Sequence, residues 1–460
     1  MPYSTAQTAA TRMWQALGGD DLSLATLSFS GDGALPSRFP VTDFAAAAWA
    51  AAALAVAELA EDQPGAAPLA VDRRLASLWF QWSLLPIGWK SAGAWDVVSG
   101  DYAARDGWVR LHANAPHHRA AALRVLGVSP EKDAVAGAVA RLAAAEVEAA
   151  VVAAGGCAAQ MRSMAEWAVH PQGQAIAAEP LVHYAASDVA APPSAWAPRP
   201  ERPLAGVRVL DLTRVLAGPI ATRFLAGYGA EVLRIDPLEW DEGPVIPEVT
   251  LGKRCARLDL ATAAGRDTFL GLLGQADVLV HGYRATALEH LGLGDEVRRA
   301  VAPGLVDVRL NAYGWTGPWR DRRGFDSLVQ MSCGIAAAGQ DWQGADRPVP
   351  LPVQALDHGT GYLMAAAAVR GLALRRQAGR GSTWRLSLAR TAHELVSLPQ
   401  QDDDTAPIAA AADADYAPDI EDTPWGQVRR LLPPVQIEDV PLRWSSGARA
   451  LGSDPAAWAS

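Results

Sequence analysis

Two short stretches carry residue types that could do chemistry. In the first, an apolar run at 207–212 ends in a turn of small residues, 213–219, that opens a helix. Such a turn lets a ligand approach backbone N–H groups closely. In the second stretch, 356–361, Asp357 stands among glycines where an apolar helix starts. On the residues alone, Asp357 is either a helix N-cap, the commoner role in this pattern, or a nucleophilic carboxylate.

The elements that must position these stretches alternate between strand and helix. Short β-prone runs are separated by helical segments at 219–225 and 265–273. The predicted strands are 207–212, 231–235, 256–260, 278–280 and 305–310. This alternation predicts a parallel sheet covered by helices.

Composition narrows the class of protein. The chain has 460 residues, of which 50% are hydrophobic and 20% charged, so we expect two or three folded domains. A net charge of -10 argues against a nucleic-acid partner, because phosphate binding needs a basic face. The apolar stretch 45–60 is shorter than a bilayer span and ends in acidic residues, which favours a buried helix and no membrane partner.

The cysteines and the N-terminus predict a cytoplasmic protein. The three cysteines lie far apart, without a CxxC pair or a histidine at metal spacing, so we expect no metal and a reducing compartment. The first residues lack the charged and apolar regions of a secretory signal.

A weak internal repeat links Asp43 and Asp357. The first copy comprises 41–44, the helix 45–59 and 63–65; the second comprises 355–358, the helix 361–374 and 377–379. A predicted strand follows each copy, at 69–72 and at 383–388. Asp43 is therefore a rival to Asp357, although Phe44 and alanines replace the glycines and favour a helix cap.

Several ordered sequence blocks resemble the family III CoA-transferases, the CaiB/BaiF family, which also includes α-methylacyl-CoA racemases. They cover roughly two hundred residues, which makes the resemblance far more specific than a single glycine motif. The blocks are 204–219, 229–236, 253–260, 276–278, 282–284, 291–293, 314–318 and 324–326.

The resemblance implies an α/β fold, with a Rossmann-like parallel-sheet large domain and a smaller α+β domain. The order of segments departs from the family pattern, because the small domain precedes the sheet. The predicted parts are an Asp-helix segment of the large domain at 1–80, the small domain at 81–190, a Pro-rich linker at 191–203, the CoA-binding large domain at 204–400, and an acidic loop with terminal strands at 401–460.

The resemblance also implies catalytic roles. Asp357 occupies the family's nucleophile position, where a carboxylate attacks an acyl-CoA and then carries CoA as an aspartyl thioester. Asp326 occupies the position of an acidic neighbour in some members, although a helix N-cap is at least as good an interpretation. Backbone N–H groups at the start of the Asp357 helix, approached across Gly359 and Gly361, are expected to stabilise the oxyanion.

Further positions are expected to bind CoA. By resemblance they are Val215, Ala217, Leu258, Tyr283, Arg284, His290, Leu291 and Arg323. Arg234, Lys253 and Arg254 are expected to meet the phosphates, because an acidic protein needs a local cationic cluster for a polyanion.

These assignments predict a CoA-transferase that acts on an acyl-CoA and a carboxylic acid, as a homodimer and without a metal. One alternative is an acyl-CoA racemase or isomerase, disfavoured because Phe325 stands where racemases have a histidine. The other is a catalytically silent CoA-binding protein. His117, His118 and the tryptophan-rich stretches at 79–82, 89 and 95 are predicted to be packing.

Overall fold

The structure is a computed structural model that describes residues 4–60, 68–91, 93, 95–192, 196–284, 286–401 and 404–459. Parts of the repeat (63–65), the linker (193–195) and the acidic loop (402–403) lie outside the described residues. The strands are β1 Leu27–Ser30, β2 Leu69–Asp72, β3 Leu84–Pro86, β4 Gly100–Ala104, β5 Gly107–Leu111, β6 Ala158–Gln160, β7 His183–Ala190, β8 Arg208–Leu212, β9 Glu231–Asp236, β10 Lys253–Arg257, β11 Val278–His281, β12 Val306–Asn311, β13 Arg380–Ser387, β14 Glu421–Thr423, β15 Gly426–Arg430 and β16 Val435–Ile437. The helices are α1 Ser4–Ala16, α2 Asp21–Ala25, α3 Val41–Ala60, α4 Arg73–Gln81, α5 Pro116–Leu126, α6 Lys132–Val139, α7 Ala144–Ala153, α8 Met164–Val169, α9 Pro171–Ala178, α10 Ala217–Gly227, α11 Ile246–Val249, α12 Ala263–Leu273, α13 Ala287–His290, α14 Asp295–Val301, α15 Asp326–Ser332, α16 Ile335–Gln343, α17 Ala355–Ala378 and α18 Leu388–Val396.

The large domain is built on a seven-stranded sheet in the order β10-β9-β8-β11-β12-β13-β7. Its first six strands pair in parallel, and β7 joins β13 antiparallel at the edge. Continuous apolar burial along β11 is typical of a parallel strand covered on both faces. Because the strand order reverses between β8 and β11, a crevice for ligands is expected beyond the carboxyl ends of these strands.

The two repeat helices, α3 and α17, pack side by side. Trp49 lies 4.1 Å from Tyr362, ring centroid to ring centroid, and Glu58 forms an ion pair with Arg370. The partners in these two pairs are 313 and 312 positions apart, so the helices run parallel. Within the described residues α3 alone is long and apolar enough to span a membrane, and 78% of its most apolar window is buried inside the protein. The structure confirms the expected buried helix.

The small domain has its own apolar core. An antiparallel sheet, β4-β5-β6, is covered by α5, α6 and α7. A parallel-sheet domain and a smaller α+β domain are therefore both present, which confirms the predicted fold class.

Two strands near the predicted ends of the small domain pair with strands outside residues 81–190. Strand β7 pairs with β13 of the large sheet, and β3 pairs with β15 near the end of the chain. The hydrogen bonds of β7 make it the edge strand of the large sheet, whereas β3 belongs to a separate three-stranded sheet with β14 and β15. Strand β10 also begins at Lys253, three residues before the predicted start at 256, because Lys253 is buried beside Asp211.

A buried ion cluster joins the two ends of the chain to the sheet. Glu248 forms ion pairs with Arg223 of α10 and with Arg430 of β15, and it accepts a hydrogen bond from the Ser83 hydroxyl at 2.7 Å. Burial favours the neutral carboxyl, but the two guanidinium groups hold the pKa of Glu248 below its usual value. The cluster fixes α4 and the terminal strands against the helix that begins at the crevice.

Candidate active site

The crevice at the strand-order reversal contains a cavity of about 410 Å³, which we call the cationic cavity. It is bordered by the residues that follow β8, β11 and β12, at the edge where a doubly wound sheet binds ligands. Its lining includes the arginines Arg214, Arg284, Arg320, Arg322 and Arg323. Arginine forks suit phosphate groups, so this cavity can receive a polyanion although the whole chain is acidic.

Hydrogen bonds and ring contacts hold several of these arginines in place. The Arg214 guanidinium donates to the Tyr283 hydroxyl at 2.8 Å and lies over the rings of Trp240 and Tyr283. Arg323 donates to the Gly155 carbonyl at 2.9 Å, which ties the cavity to the small domain. Fixed side chains lose less conformational entropy when a ligand binds.

The turn after β8 brings strained backbone to the cavity. Val215 has φ +66°, an unfavourable conformation for a β-branched residue, and its N–H donates to Glu242 Oε1 at 2.5 Å. Helix α10 begins two residues later at Ala217, which lines the cationic cavity. The first N–H groups of a helix have no intrahelical acceptors and favour negative charge, so this turn adds to the positive character of the cavity.

Asp357 is the third residue of α17 and is 9% exposed. Asp326, the first residue of α15, accepts hydrogen bonds from the backbone N–H groups of Leu356 and Asp357 at 2.9 and 3.0 Å. Gln330 Nε2 donates to its other oxygen at 2.5 Å. Asp326 therefore caps the helix that carries Asp357, instead of its own helix, and brings two carboxyl groups together.

Burial raises the pKa of Asp357 well above its usual value, and repulsion from Asp326 raises it further. Burial also raises the pKa of Asp326 to about 6, against the hydrogen bonds from the Asp357 N–H, Gln330 and the Leu356 N–H. Strong shifts of this kind are common among catalytic groups, and a carboxylate with little water around it is a strong nucleophile once ionised.

A second cavity, of about 340 Å³, meets the first at Asp357. We call it the aromatic cavity, because the rings of Phe80, Trp82, Trp95, His112, Phe325 and His358 line it. The side chains that border both cavities are Val215, Phe325 and Asp357. A ligand that spans the junction would place its reacting carbon beside the Asp357 carboxyl.

The small domain contributes histidines to both cavities. His112 lies flat on Phe325, with ring centroids 3.7 Å apart, and lines the aromatic cavity, whereas His118 lines the cationic cavity. Burial lowers the pKa of His112 to about 3, that of His118 to about 4 and that of His358 to about 3. These rings are neutral at physiological pH, and His112 and His358 each bury an Nδ1 atom that has no hydrogen-bond partner.

The rival carboxylate, Asp43, has a different setting. Arg73 Nε donates to Asp43 Oδ1 at 2.6 Å, so the carboxylate is held in an ion pair. Asp43 borders neither the cationic nor the aromatic cavity. Its position at the start of α3 agrees with a structural role.

The expected oxyanion site at the start of α17 is not supported. The N–H groups of Leu356 and Asp357 already bond to Asp326. A side chain at Gly359 would meet the Phe44 ring at 2.4 Å, and one at Gly361 would meet the Ala217 carbonyl at 2.4 Å. The glycines therefore allow close packing of α17 against α3 and α10.

The structure brings five of the eleven predicted CoA-binding residues to the cationic cavity. These are Val215, Ala217, Tyr283, Arg284 and Arg323. The cavity is not bordered by Leu258, His290 and Leu291, of which Leu258 and Leu291 pack against a separate apolar core on the sheet.

Two predicted phosphate ligands lie inside the protein. Arg234 donates to Asp236 at 2.8 Å, and the Lys253 ammonium lies 2.9 Å from Asp211. Both cations have fully buried side chains, so they shape the carboxyl ends of β8 and β9 and do not reach the cavity. Arg254, the third predicted phosphate ligand, is not among the residues that border the cavity.

Sequence reasoning missed much of the cavity wall. His117, His118, Trp82 and Trp95 were predicted to be packing, yet all four border a cavity. Trp79 of the same stretch is fully buried in the core, as predicted. No motif marks these residues; the signal that they share is their position just before or within the small domain, which covers the crevice.

Comparisons with known proteins agree with this site. Residues 204–411 match the model of CoA-transferase family III. Among curated relatives, a succinyl-CoA:glutarate CoA-transferase of Mus musculus is 32% identical over 40% of this chain and 47% of its own length. A succinyl-CoA–D-citramalate CoA-transferase of Chloroflexus aurantiacus is 37% identical over 30% of this chain and 38% of its own length. A probable fatty acyl-CoA transferase of Mycobacterium tuberculosis is 32% identical over 39% of this chain and 49% of its own length.

A solved structure of a Mycobacterium tuberculosis protein is similar over 42% of this chain and 57% of its own, with 29% identity and a TM-score of 0.39. The chain spans less than half of the length of the three curated relatives above. The matched segment contains β8, the turn at Val215, Asp326 and Asp357. Residues 204–411 of this chain are therefore similar to the family III CoA-transferases, in line with the resemblance of the sequence blocks.

Proposed function

We propose that this protein transfers CoA from an acyl-CoA to a carboxylic acid through an aspartyl-CoA thioester on Asp357. The observation that carries the proposal is the position of Asp357 at the junction of a cationic and an aromatic cavity. In this arrangement the CoA moiety occupies the cationic cavity and the acyl group occupies the aromatic cavity. Relatives named as transferases of succinyl-CoA and of fatty acyl-CoA support transfer as the general reaction.

The first half-reaction has two steps. The Asp357 carboxylate attacks the thioester carbonyl, the carbon–sulfur bond breaks, and CoA leaves as a thiolate from a mixed anhydride. The thiolate then attacks the aspartyl carbonyl, which releases the first acid as a carboxylate and leaves CoA bound to Asp357. A second acid reverses both steps, so thioester energy is conserved.

The surroundings of Asp357 supply what these steps need. The thiolate must stay close while the anhydride exists, and the arginines of the cationic cavity would hold the CoA phosphates during that time. Hydrolysis of the anhydride is disfavoured by the aromatic rings, which exclude water from the junction. Asp326 fixes the start of α17 and hence the position of the attacking oxygen.

Chemical trapping tests the proposal. The protein is incubated with an acyl-CoA, treated with borohydride or hydroxylamine, and digested for mass spectrometry. We expect the adduct on the peptide that contains Asp357, and we expect Asp43→Asn to keep it while Asp357→Asn loses it.

Three results would contradict the proposal. Labelling at Asp43 would move the nucleophile, and bound acyl-CoA without any adduct would indicate a silent CoA-binding protein. Exchange of the α-proton of the acyl group without CoA transfer would indicate a racemase or isomerase.

A further inference from the structure

The charge of the aromatic cavity differs from that of its neighbour. Two carboxyl groups, Asp326 and Asp357, line this cavity. No Lys or Arg is found among the described residues that line it. The Arg110 guanidinium acts electrostatically on Asp326, although Arg110 does not line the cavity. Arg110 forms an ion pair with Asp101 at 2.7 Å and lies over the Trp95 ring.

The histidines do not supply the missing positive charge. His112 and His358 are 6% and 2% exposed, and burial is the main cause that keeps both rings neutral near pH 7. Arg110 and His118 face His112 and oppose its protonation, as Arg223 does for His358, where Glu248 acts in the other direction. A carboxylate inserted here would lose its water, would contact no cation among the described lining residues and would be repelled by the aspartyl groups in their ionised form.

Two ring stacks form part of the cavity wall. On the large-domain side Phe80 stacks on His358 at 4.7 Å with 25° between the planes. On the small-domain side His112 stacks on Phe325 at 3.7 Å with 6° between the planes, and Trp95 meets His112 edge-on. Flat apolar groups gain most from such walls.

The size of the cavity limits its occupant. Its volume is about 340 Å³, whereas an apolar cavity of about 150 Å³ holds a benzene molecule. A substituted aromatic ring or a short branched chain therefore fits. Trp82 and its neighbour Gln81 border both this cavity and a third one of about 440 Å³, whose lining includes Leu35, Leu78, Ile408 and Leu431.

We infer that the acyl groups transferred at Asp357 derive from monocarboxylic acids of the arylacetic type, which carry no second charged group. Dicarboxylic acids are rejected. The inference rests on the proposed function, because it assigns the aromatic cavity to the acyl group. It follows from the ring-lined wall and from the lack of a cation among the described lining residues. Trp82 sets the limit on the length of the acyl group.

Binding to a variant that cannot form the covalent adduct tests the inference apart from turnover. Phenylacetyl-CoA and succinyl-CoA are titrated into Asp357→Asn by calorimetry. Because CoA is common to both ligands, it cancels in the comparison, and we expect phenylacetyl-CoA to bind at least thirtyfold more tightly. Equal affinity, or tighter binding of succinyl-CoA, would overturn the inference whether or not the wild type transfers CoA. If phenylacetyl-CoA binds more tightly as expected but wild-type Asp357 forms no adduct, only the proposed function is contradicted.

A gain of binding sharpens the test, because misfolding of a variant can weaken binding but does not tighten it. Gln354 lines the aromatic cavity at the start of α17, so Gln354→Arg places a cation there. In the Asp357→Asn background we expect this change to tighten succinyl-CoA binding at least tenfold, whereas the matched neutral change Gln354→Met leaves it unaltered. The same effect from Arg and Met would contradict the inferred role of charge.

The length limit has its own measurement. Trp82→Ala joins the aromatic cavity to the third cavity, so we expect decanoyl-CoA to gain affinity relative to phenylacetyl-CoA. Matching changes for both ligands would show that Trp82 does not set the length of the acyl group.

Discussion

The cationic and aromatic cavities share Asp357 but come from different parts of the chain. The cationic cavity lies at the carboxyl ends of parallel strands, and its arginines follow β8, β11 and β12. The aromatic cavity is bounded by α4, the small domain and the segment just before α17. Under the proposed function, the sheet would supply affinity for the phosphates of CoA, and the added segments would select the acyl group.

The largest effect is expected at the residue common to both cavities. Asp357→Asn keeps the shape of the side chain but removes the nucleophilic carboxylate, so transfer should fall on the order of a thousandfold or more. The measurement is kcat for CoA transfer, with Asp43→Asn as the matched control of near wild-type activity. Comparable losses in the two variants would erase the distinction between the repeat copies.

A change on the aromatic side alone should alter the pH profile. The carboxylate form of Asp357 reacts, so wild-type kcat should fall as pH falls through the raised pKa of that group. Asp326→Asn removes the repulsion that helps to raise this pKa, and the acid limb of kcat should move to lower pH. Asparagine keeps only one acceptor oxygen, so either Gln330 or the N–H groups of Leu356 and Asp357 lose their acceptor, which should also reduce kcat about tenfold. An unmoved acid limb would mean that Asp326 has no electrostatic influence on Asp357.

The same variant has a stability signature. Because the pKa of Asp326 is about 6 in the folded protein and about 3.9 in an unfolded chain, its stabilising contribution is full below about pH 4 and is lost as pH rises to about 6. In wild type, the free energy of unfolding from urea titrations should fall over this pH range. In Asp326→Asn, the part of the fall that is due to Asp326 should be absent. A decrease of equal size in variant and wild type would assign it to other groups.

A change on the cationic side alone should weaken binding and spare the chemistry. Arg214→Ala removes a fixed guanidinium, so the KM for acyl-CoA should rise about tenfold while kcat stays constant. The matched control is Arg208→Ala, since Arg208 lies at the start of β8 and borders neither cavity. A fall in kcat without a change in KM would transfer Arg214 from binding to catalysis.

The smallest effect is expected at the turn that touches both cavities. Val215→Gly relieves a positive φ at a β-branched residue and should stabilise the protein by about 1 kcal/mol. The freed turn should lower kcat only a few times. Thermal unfolding and steady-state kinetics measure both, and a destabilised variant would show that the contacts of the Val215 side chain outweigh the relieved strain.

The sheet was predictable because its signals are local. Strands β8 and β11 of the large sheet differ from prediction by one residue, and β2 of a smaller sheet has the predicted bounds, since each is an apolar run with clear breaks. Asp357 was found because it combines a glycine-rich helix start with the family blocks. These features need no knowledge of distant contacts.

The remaining parts of the site depend on long-range contacts. Arg234 and Lys253 carry the positive charge expected of phosphate ligands, but only the folded sheet shows that each is buried in an ion pair with an aspartate. His112 and Trp95 reach the site because the small domain lies over it, and nothing in their neighbouring residues records this. In the sequence Asp326 resembles an N-cap for its own helix. In the structure it accepts hydrogen bonds from the backbone N–H groups at the start of α17.

The parallel pairing of α3 with α17 has a consequence for synthesis. Their partner residues Glu58 and Arg370 are 312 positions apart, so α3 leaves the ribosome long before its packing surface exists. At about 5–20 residues per second, that delay is roughly 15–60 s, during which an almost wholly apolar helix has α1 and α4 beside it but lacks α17. The nascent chain should therefore depend on chaperones that hold α3 until translation has passed the second aspartate.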